Sequence, residues 1–377
     1  MIYKGPVIDV DVHNMWRSVT DLLAYLPSRW RDLFVQPDGR INSLIPPFAN
    51  YASPNGSNKR LTAFPADGTP PGSDYELMRN QLLDPMRIAY GILSFDIGLE
   101  QGFTNPHAAI ELCKAANNWM VERWLSIDDP RLVGAILIPT ESPEAAADEI
   151  RRLAHNPKIV EVLMTANPIG KPFGHPIYDP IHRAAAETGL TIGIHVGGDI
   201  TKGHAAAGGV PMTWLEQFAT LYQPGAHDLS SFVTHGVFER YQTLHLCLKE
   251  YGFTWVPSLL WKLDDSFEIL KRESPWVSVL PSETVRQHVI VSSQPFDYTS
   301  DSAQLVELME SFEWMQDILC FATDYPHWDS DEPDQIAMRL PKAWHDKVFF
   351  ENSARVYGWK KSSIAQATPS TLPRSAN

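Results

Sequence analysis

Several residues able to hold a divalent metal ion fall at or near the ends of short apolar runs. The run Val7–His13 reads VIDVDVH. Alternate residues of a strand face the same side, so Asp9, Asp11 and His13 are expected on one face. His195 follows the apolar start of LTIGIHVGG, Glu250 lies near the end of LHLCLKEYG, and Asp324 sits in ILCFATDYP with His327 just beyond. A carboxylate inside an apolar strand is costly unless a positive charge accompanies it, and a bound cation would offset that cost. The expected ligands are Asp11, His13, His195, Glu250 and Asp324. Asp324, Glu250 and His327 are the expected catalytic groups, two carboxylates to move a proton and an imidazole to orient a ligand or donate to substrate. His175, in the loop after the fourth run, His235, in Thr-His-Gly, and Trp255, after the sixth, are expected to line the substrate pocket.

These residues need a scaffold that brings strand ends together. Eight Val/Ile/Leu-rich runs recur: Val7–His13, Tyr90–Phe95, Leu132–Pro139, Ile159–Ala166, Leu190–Gly198, Leu244–Gly252, His288–Pro295 and Ile318–Pro326. Near-continuous apolar runs suit parallel strands covered on both faces. Segments of helical spacing lie between them, several opened by proline, as at Ser142-Pro143-Glu144 and Asp179-Pro180. Eight alternations predict a (β/α)8 TIM barrel, in which all strand ends converge on one face. An open doubly wound sheet is the alternative, but the first strand ends in Asp-Val-His-Asn rather than a glycine-rich phosphate turn. Residues 1–360 are expected to form this single barrel. Within it, Gln36–Ser73, rich in Pro, Gly, Asn and Ser, is expected as an irregular insertion over the mouth, a lid. Residues 361–377 are expected to form a mobile tail.

Composition narrows the function. Of 377 residues, 44% are hydrophobic, enough for a large core. Lys and Arg total 31 against 45 Asp and Glu, a net charge of -14, which argues against nucleic acid or anionic lipid as partners. No apolar run reaches the ~18 residues of a membrane span, and the N-terminus carries no signal-peptide pattern. A cytoplasmic enzyme acting on a small molecule is expected.

The motifs DVDVH, GIHVGG, GVFERYQTLHLCLKEYG and FATDYPH, with the tail FFENSARVYG, resemble the amidohydrolase-related superfamily that contains aminocarboxymuconate-semialdehyde decarboxylase and γ-resorcylate decarboxylase. The resemblance runs from about Val7 to Gly358 and implies a barrel holding a divalent metal; it also implies frequent dimers, and a catalytically silent partner of an active paralogue is a further expectation. Two departures stand out. Many amidohydrolases carry His-x-His on strand one where this chain has Asp11-x-His13, and Glu250 stands where decarboxylases of this branch place a histidine. Three carboxylates could balance two divalent ions, and mixed oxygen and nitrogen ligation suits iron or manganese as well as zinc. That pattern is similar to the dinuclear-iron oxygenases of the same superfamily. The leading expectation is therefore an O2-dependent hydroxylase with two ions, Fe or Fe/Mn. The alternative is a hydrolase or nonoxidative decarboxylase, with Zn if mononuclear.

Overall fold

The computed structural model describes residues 3–35, 58–95, 105–165, 167, 169–196 and 213–359. Residues 36–57 of the expected lid and the whole of the expected tail at 361–377 lie outside the described residues. The strands are β1 (Val7–Asn14), β2 (Ile88–Phe95), β3 (Leu132–Leu137), β4 (Ile159–Met164), β5 (Thr191–His195), β6 (Leu246–Lys249), β7 (Val289–Ser292) and β8 (Leu319–Cys320). They pair in parallel in chain order, as the eight apolar runs predict. Val7, Ile8, Val10 and Val12 of β1 and Leu246 and Leu248 of β6 are fully buried. Such burial on both faces is why these runs lack a polar alternation.

The seam between β8 and β1 closes the barrel and shapes the site. β8 proper is two residues long, shorter than its apolar run. Beyond it the chain follows β1 through single contacts. Val10 N–H donates to Phe321 O at 3.2 Å, Asp324 N–H to Asp11 O at 3.1 Å, and His13 N–H to Tyr325 O at 2.7 Å. Asp9 fastens the same seam, accepting from the Thr323 amide at 2.9 Å and its hydroxyl at 2.6 Å. Asp9 therefore does not join Asp11 and His13 in one ligand row, because the pairing register of β1 shifts between Asp9 and Val12.

The helices follow local signals. Asn105 Oδ1 caps the helix Pro106–Arg123 by accepting from the amides of His107 and Ala108, and Pro106 takes the first helical position. The helix Asp179–Thr188 ends at Gly189, whose φ of 72° is the left-handed cap that glycine adopts without strain. The last-turn helix Asn352–Val356 packs its end beneath the barrel, where Thr191 Oγ1 donates to Val356 O at 3.4 Å.

Candidate metal centre

β1 presents Asp11 and His13, β5 ends at His195, Glu250 directly follows β6, and Asp324 lies just beyond β8. The ligand atoms of Asp11, His13, His195 and Asp324 all lie within 4.8 Å of one another, and His13, Glu250, Asp324 and His327 form a second such group. All five expected ligands thus meet at one end of the barrel, together with His327. Glu250 and Asp324 adopt φ of 59° and 60°, a left-handed backbone that costs a non-glycine residue roughly 1–3 kcal/mol. Strain of this kind beyond the ends of β6 and β8, on either side of β7, marks a region whose geometry the fold imposes.

Donor directions point to a cation. Asp11 Oδ1 accepts from Ser94 Oγ at 2.8 Å, which turns Oδ2 inward. Oδ2 then lies 3.1 Å from His195 Nε2, which is itself 3.2 Å from Glu250 Oε2. Yet both Asp11 Oδ2 and His195 Nε2 are buried without a hydrogen-bond partner. His195 Nδ1 faces its neighbour's carbonyl, Val196 O, so a proton there leaves Nε2 as a bare lone pair. With Nε2 unprotonated, two lone pairs would face the same space; a proton, or a divalent ion in its place, relieves this. His13 Nε2 meets Asp324 Oδ1 at 2.7 Å, and His327 Nδ1 meets Asp324 Oδ2 at 2.7 Å.

The electrostatics agree with a cation-holding cluster. Burial would raise the Asp11 carboxyl, but His195, Lys249 and His13 outweigh it and hold it well below the usual carboxylate range. Burial would lower His195, but the Asp11, Glu250 and Asp324 carboxylates push it up to about 9. Burial and the Asp324 charge push Glu250 well above the ordinary glutamate value.

Beneath the cluster a buried polar column descends the barrel. Lys249 Nζ lies 3.9 Å from Asp11 Oδ1 and donates to Glu161 Oε1 at 2.6 Å. Glu161 Oε2 accepts from Tyr357 Oη at 2.5 Å. Lys249 and Glu161 are both wholly inaccessible to solvent. Gly193 makes room for them, since a Cβ there would stand 2.4 Å from Glu161 Oε1. Beside the cluster, Gln294 Nε2 donates to Asp324 Oδ2 at 3.1 Å and to Asp329 Oδ2 at 3.3 Å. Asp329 is pushed up to about 6 by burial and the neighbouring Asp324 charge.

The expected substrate-binding residues divide. Trp255 begins the helix Trp255–Leu270 on the cluster's side of β6, with its indole N–H donating to the carbonyls of Tyr251 and Gly252, each at 3.0 Å. His175 and His235 pack against each other instead, their rings 5.7 Å apart. His235 ends the helix Tyr222–Thr234, which leads back toward the start of β6, and its carbonyl accepts from Arg240. A barrel helix ends at the face opposite the strand C-termini. The loop after β4, which carries His175, is tied to that helix by Phe173 N–H donating to Asp228 at 2.7 Å. Sequence reading missed Lys249, Glu161 and Gln294. A signal did exist for the first two, one charge of each sign inside an otherwise apolar strand run.

Comparison with known proteins identifies the lineage. A family model described as Amidohydrolase matches residues 8–359. The γ-resorcylate decarboxylase of Rhodococcus jostii (strain RHA1) is 23% identical over 265 residues, covering 67% of this chain and 78% of that protein. An amidohydrolase from Mycobacterium avium subsp. paratuberculosis K-10 superposes with a TM-score of 0.71 at 20% identity, covering 96% of this chain and all (100%) of the other. A dihydroxybenzoic acid decarboxylase from Polaromonas sp. JS666, solved with bound manganese and the inhibitor 2-nitroresorcinol, gives a TM-score of 0.61 at 16% identity, covering 94% of this chain and 97% of the other. The oxygenase expectation is corrected by the two decarboxylases among these relatives, and with it fall the nonheme-iron and monooxygenase readings. The physical reason is that oxygen and nitrogen donors select a divalent ion without selecting O2 chemistry, and a carboxylate beside such an ion serves proton transfer equally well. Fold, strand-end motifs and a match along nearly the whole described chain lead to one conclusion: this protein belongs to the amidohydrolase family.

Proposed function

We propose that the protein is a divalent-metal-dependent nonoxidative decarboxylase of a small hydroxylated aromatic acid. The observation that carries this reading is the pair of buried, unpartnered donors Asp11 Oδ2 and His195 Nε2, 3.1 Å apart, with Glu250 alongside. Decarboxylase relatives, one of them solved with manganese, support the reaction class and the metal. Asp11, His13, His195 and Asp324 would hold a single ion, manganese being the reading that the solved relative supports. When bound, the ion supplies Lewis acidity that holds and polarises a substrate oxygen.

The chain's own residues then handle one proton. Glu250, favoured in its protonated form by burial and by Asp324, hands its proton to the ring carbon that bears the carboxylate. The bond from that carbon to the carboxylate breaks, its electron pair restores the aromatic ring, and CO2 leaves. Solvent returns the proton to Glu250. His327, 2.7 Å from Asp324 and 3.9 Å from Glu250, orients both carboxyls. Trp255, locked by its two carbonyl bonds, forms an apolar wall.

The described end of the expected insertion, residues 58–73, would border the mouth of the barrel, since Lys59 pairs with His327 and Arg60 N–H donates to Pro326 O at 2.9 Å. Among the described residues no helix is long and apolar enough to cross a membrane. A second reading, hydrolysis, would need Glu250 in its ionised form as the general base for bound water.

The test is CO2 release from γ-resorcylate and related hydroxybenzoates by manganese-loaded protein under nitrogen. Stoichiometric CO2 with the matching phenol supports decarboxylation. Turnover confined to esters or amides replaces it with hydrolysis, and a requirement for O2 defeats both readings.

A further inference from the structure

Gln294, just past β7, is wholly buried beside Asp324. A side-chain amide has two N–H donors on nitrogen and two lone pairs on oxygen. Both donors of Gln294 are used, one on Asp324 Oδ2 at 3.1 Å and one on Asp329 Oδ2 at 3.3 Å. Ionised carboxylates only accept, so rotating the amide by half a turn would set its oxygen against two acceptors. The orientation of this amide is therefore fixed by its neighbours. Its Oε1 is left buried with no hydrogen-bond partner.

An unsatisfied buried carbonyl oxygen is unfavourable, and a site that contains one discriminates strongly for a ligand that brings a donor. The acceptor belongs to the same amide that grips Asp324, so it stands beside the ligand space of the candidate centre. We infer that Gln294 is a specificity-determining residue whose Oε1 accepts a hydrogen bond from a hydroxyl of the bound substrate. This inference rests on the proposed aromatic hydroxy-acid reading for the source of the hydroxyl. The grip on Asp324 gives the residue a second, positioning part. By holding one carboxylate oxygen on each of Asp324 and Asp329, the amide keeps two neighbouring anionic groups apart and fixes the Asp324 ligand geometry.

The experiment measures binding rather than turnover. Manganese-saturated protein is titrated calorimetrically with 2-nitroresorcinol, 2-nitrophenol and nitrobenzene, which carry two, one and no ring hydroxyls. In the unaltered protein, loss of the hydroxyls should weaken binding about 10- to 100-fold, the range for leaving a buried polar group unpaired. Gln294→Met, apolar and of similar length, should reduce that hydroxyl preference to within about threefold and should also weaken Mn2+ binding about 10- to 100-fold, as outer-shell changes do. Gln294→Leu, also apolar, should flatten the preference equally, and circular dichroism with the unfolding midpoint of each variant establishes which of the two folds. Equal binding of the three probes by the unaltered protein overturns the inference, as does failure to bind any of them. A preference undiminished in a folded Gln294→Met variant overturns it too. CO2 release from hydroxybenzoates with no hydroxyl preference sinks this inference while leaving the decarboxylase reading standing. A Gln294-dependent preference without CO2 release does the reverse.

Discussion

Replacing Lys249 by Met removes the only cation whose hydrogen bond to Glu161 is seen among the described residues. The ammonium donates to Glu161 Oε1 at 2.6 Å, and neither side chain reaches solvent. Deleting one partner of a buried ion pair strands the other, which costs about 3–5 kcal/mol. Met has a similar length, so packing loss adds little. Tyr357 Oη still donates to Glu161, which places the expected cost at the lower end, about 3 kcal/mol. For a chain of this size that corresponds to a fall in Tm of roughly 4 °C. The deficit should depend on pH. Burial already raises the Glu161 carboxyl even with Lys249 opposing it, and without Lys249 it rises further. A carboxyl whose folded pKa exceeds its unfolded value destabilises the fold progressively as pH climbs from the unfolded value, about 4.3, through the folded one. The variant should thus match the parent most closely near pH 5 and fall furthest behind above pH 8. Urea unfolding with a chelator present, so that metal binding does not contribute, measures both. A deficit below about 0.5 kcal/mol at pH 8, or one that grows toward acid pH, would refute a buried charged pair.

Three further outcomes follow from the centre. Glu250→Gln should keep one equivalent of Mn2+ while CO2 release falls at least about 100-fold, because an amide cannot hand over the proton; metal analysis showing loss of the ion would make Glu250 a ligand instead. Apparent Mn2+ affinity should climb about tenfold per pH unit between pH 7 and 9 and then level off, since His195, pushed up to about 9, must lose its proton to ligate; isothermal titration across that range would show a flat profile if His195 were not a ligand. Gly193→Ala should destabilise by about 1–3 kcal/mol in the same urea assay, since its Cβ would stand 2.4 Å from Glu161 Oε1, and a neutral result would mean that Glu161 readily yields.

The sequence disclosed the barrel because its strands are apolar on both faces, and because proline and glycine punctuate the helices at 143, 180 and 189. It disclosed Asp11, His13, His195, Glu250 and Asp324 because chain order converts strand ends into one cluster. Depth and direction were less readable. The eighth apolar run suggested a full strand, yet only Leu319–Cys320 is one, since the following residues bend around β1 to carry Asp324 at φ 60°. His175 and His235 were expected singly, and their mutual contact, rings 5.7 Å apart, had no signal in the sequence. Lys249 and Glu161 lie 88 residues apart, and nothing local announces that they meet. Gln294, in Ser-Ser-Gln-Pro, reads as an ordinary turn residue until Asp324 and Asp329 are seen on either side of it.

The corrected chemistry shows why a ligand inventory is a weak guide to reaction class. Three carboxylates in one cluster suggested two cations when charges were counted among the expected ligands alone. The barrel interior changes that count. Lys249 stands 3.9 Å from Asp11, but its charge is balanced by Glu161 at 2.6 Å, so the column beneath adds no net charge to the cluster. Glu250 favours its neutral form beside Asp324. Asp11 and Asp324 then remain as the anionic ligands, and one divalent ion balances two carboxylates. A neutral Glu250 is also the group that a decarboxylation needs, because the leaving carboxylate must be replaced on carbon by a proton. On the proposed decarboxylation, the carboxylate that suggested a second metal serves instead as an acid, because burial and Asp324 favour its neutral form.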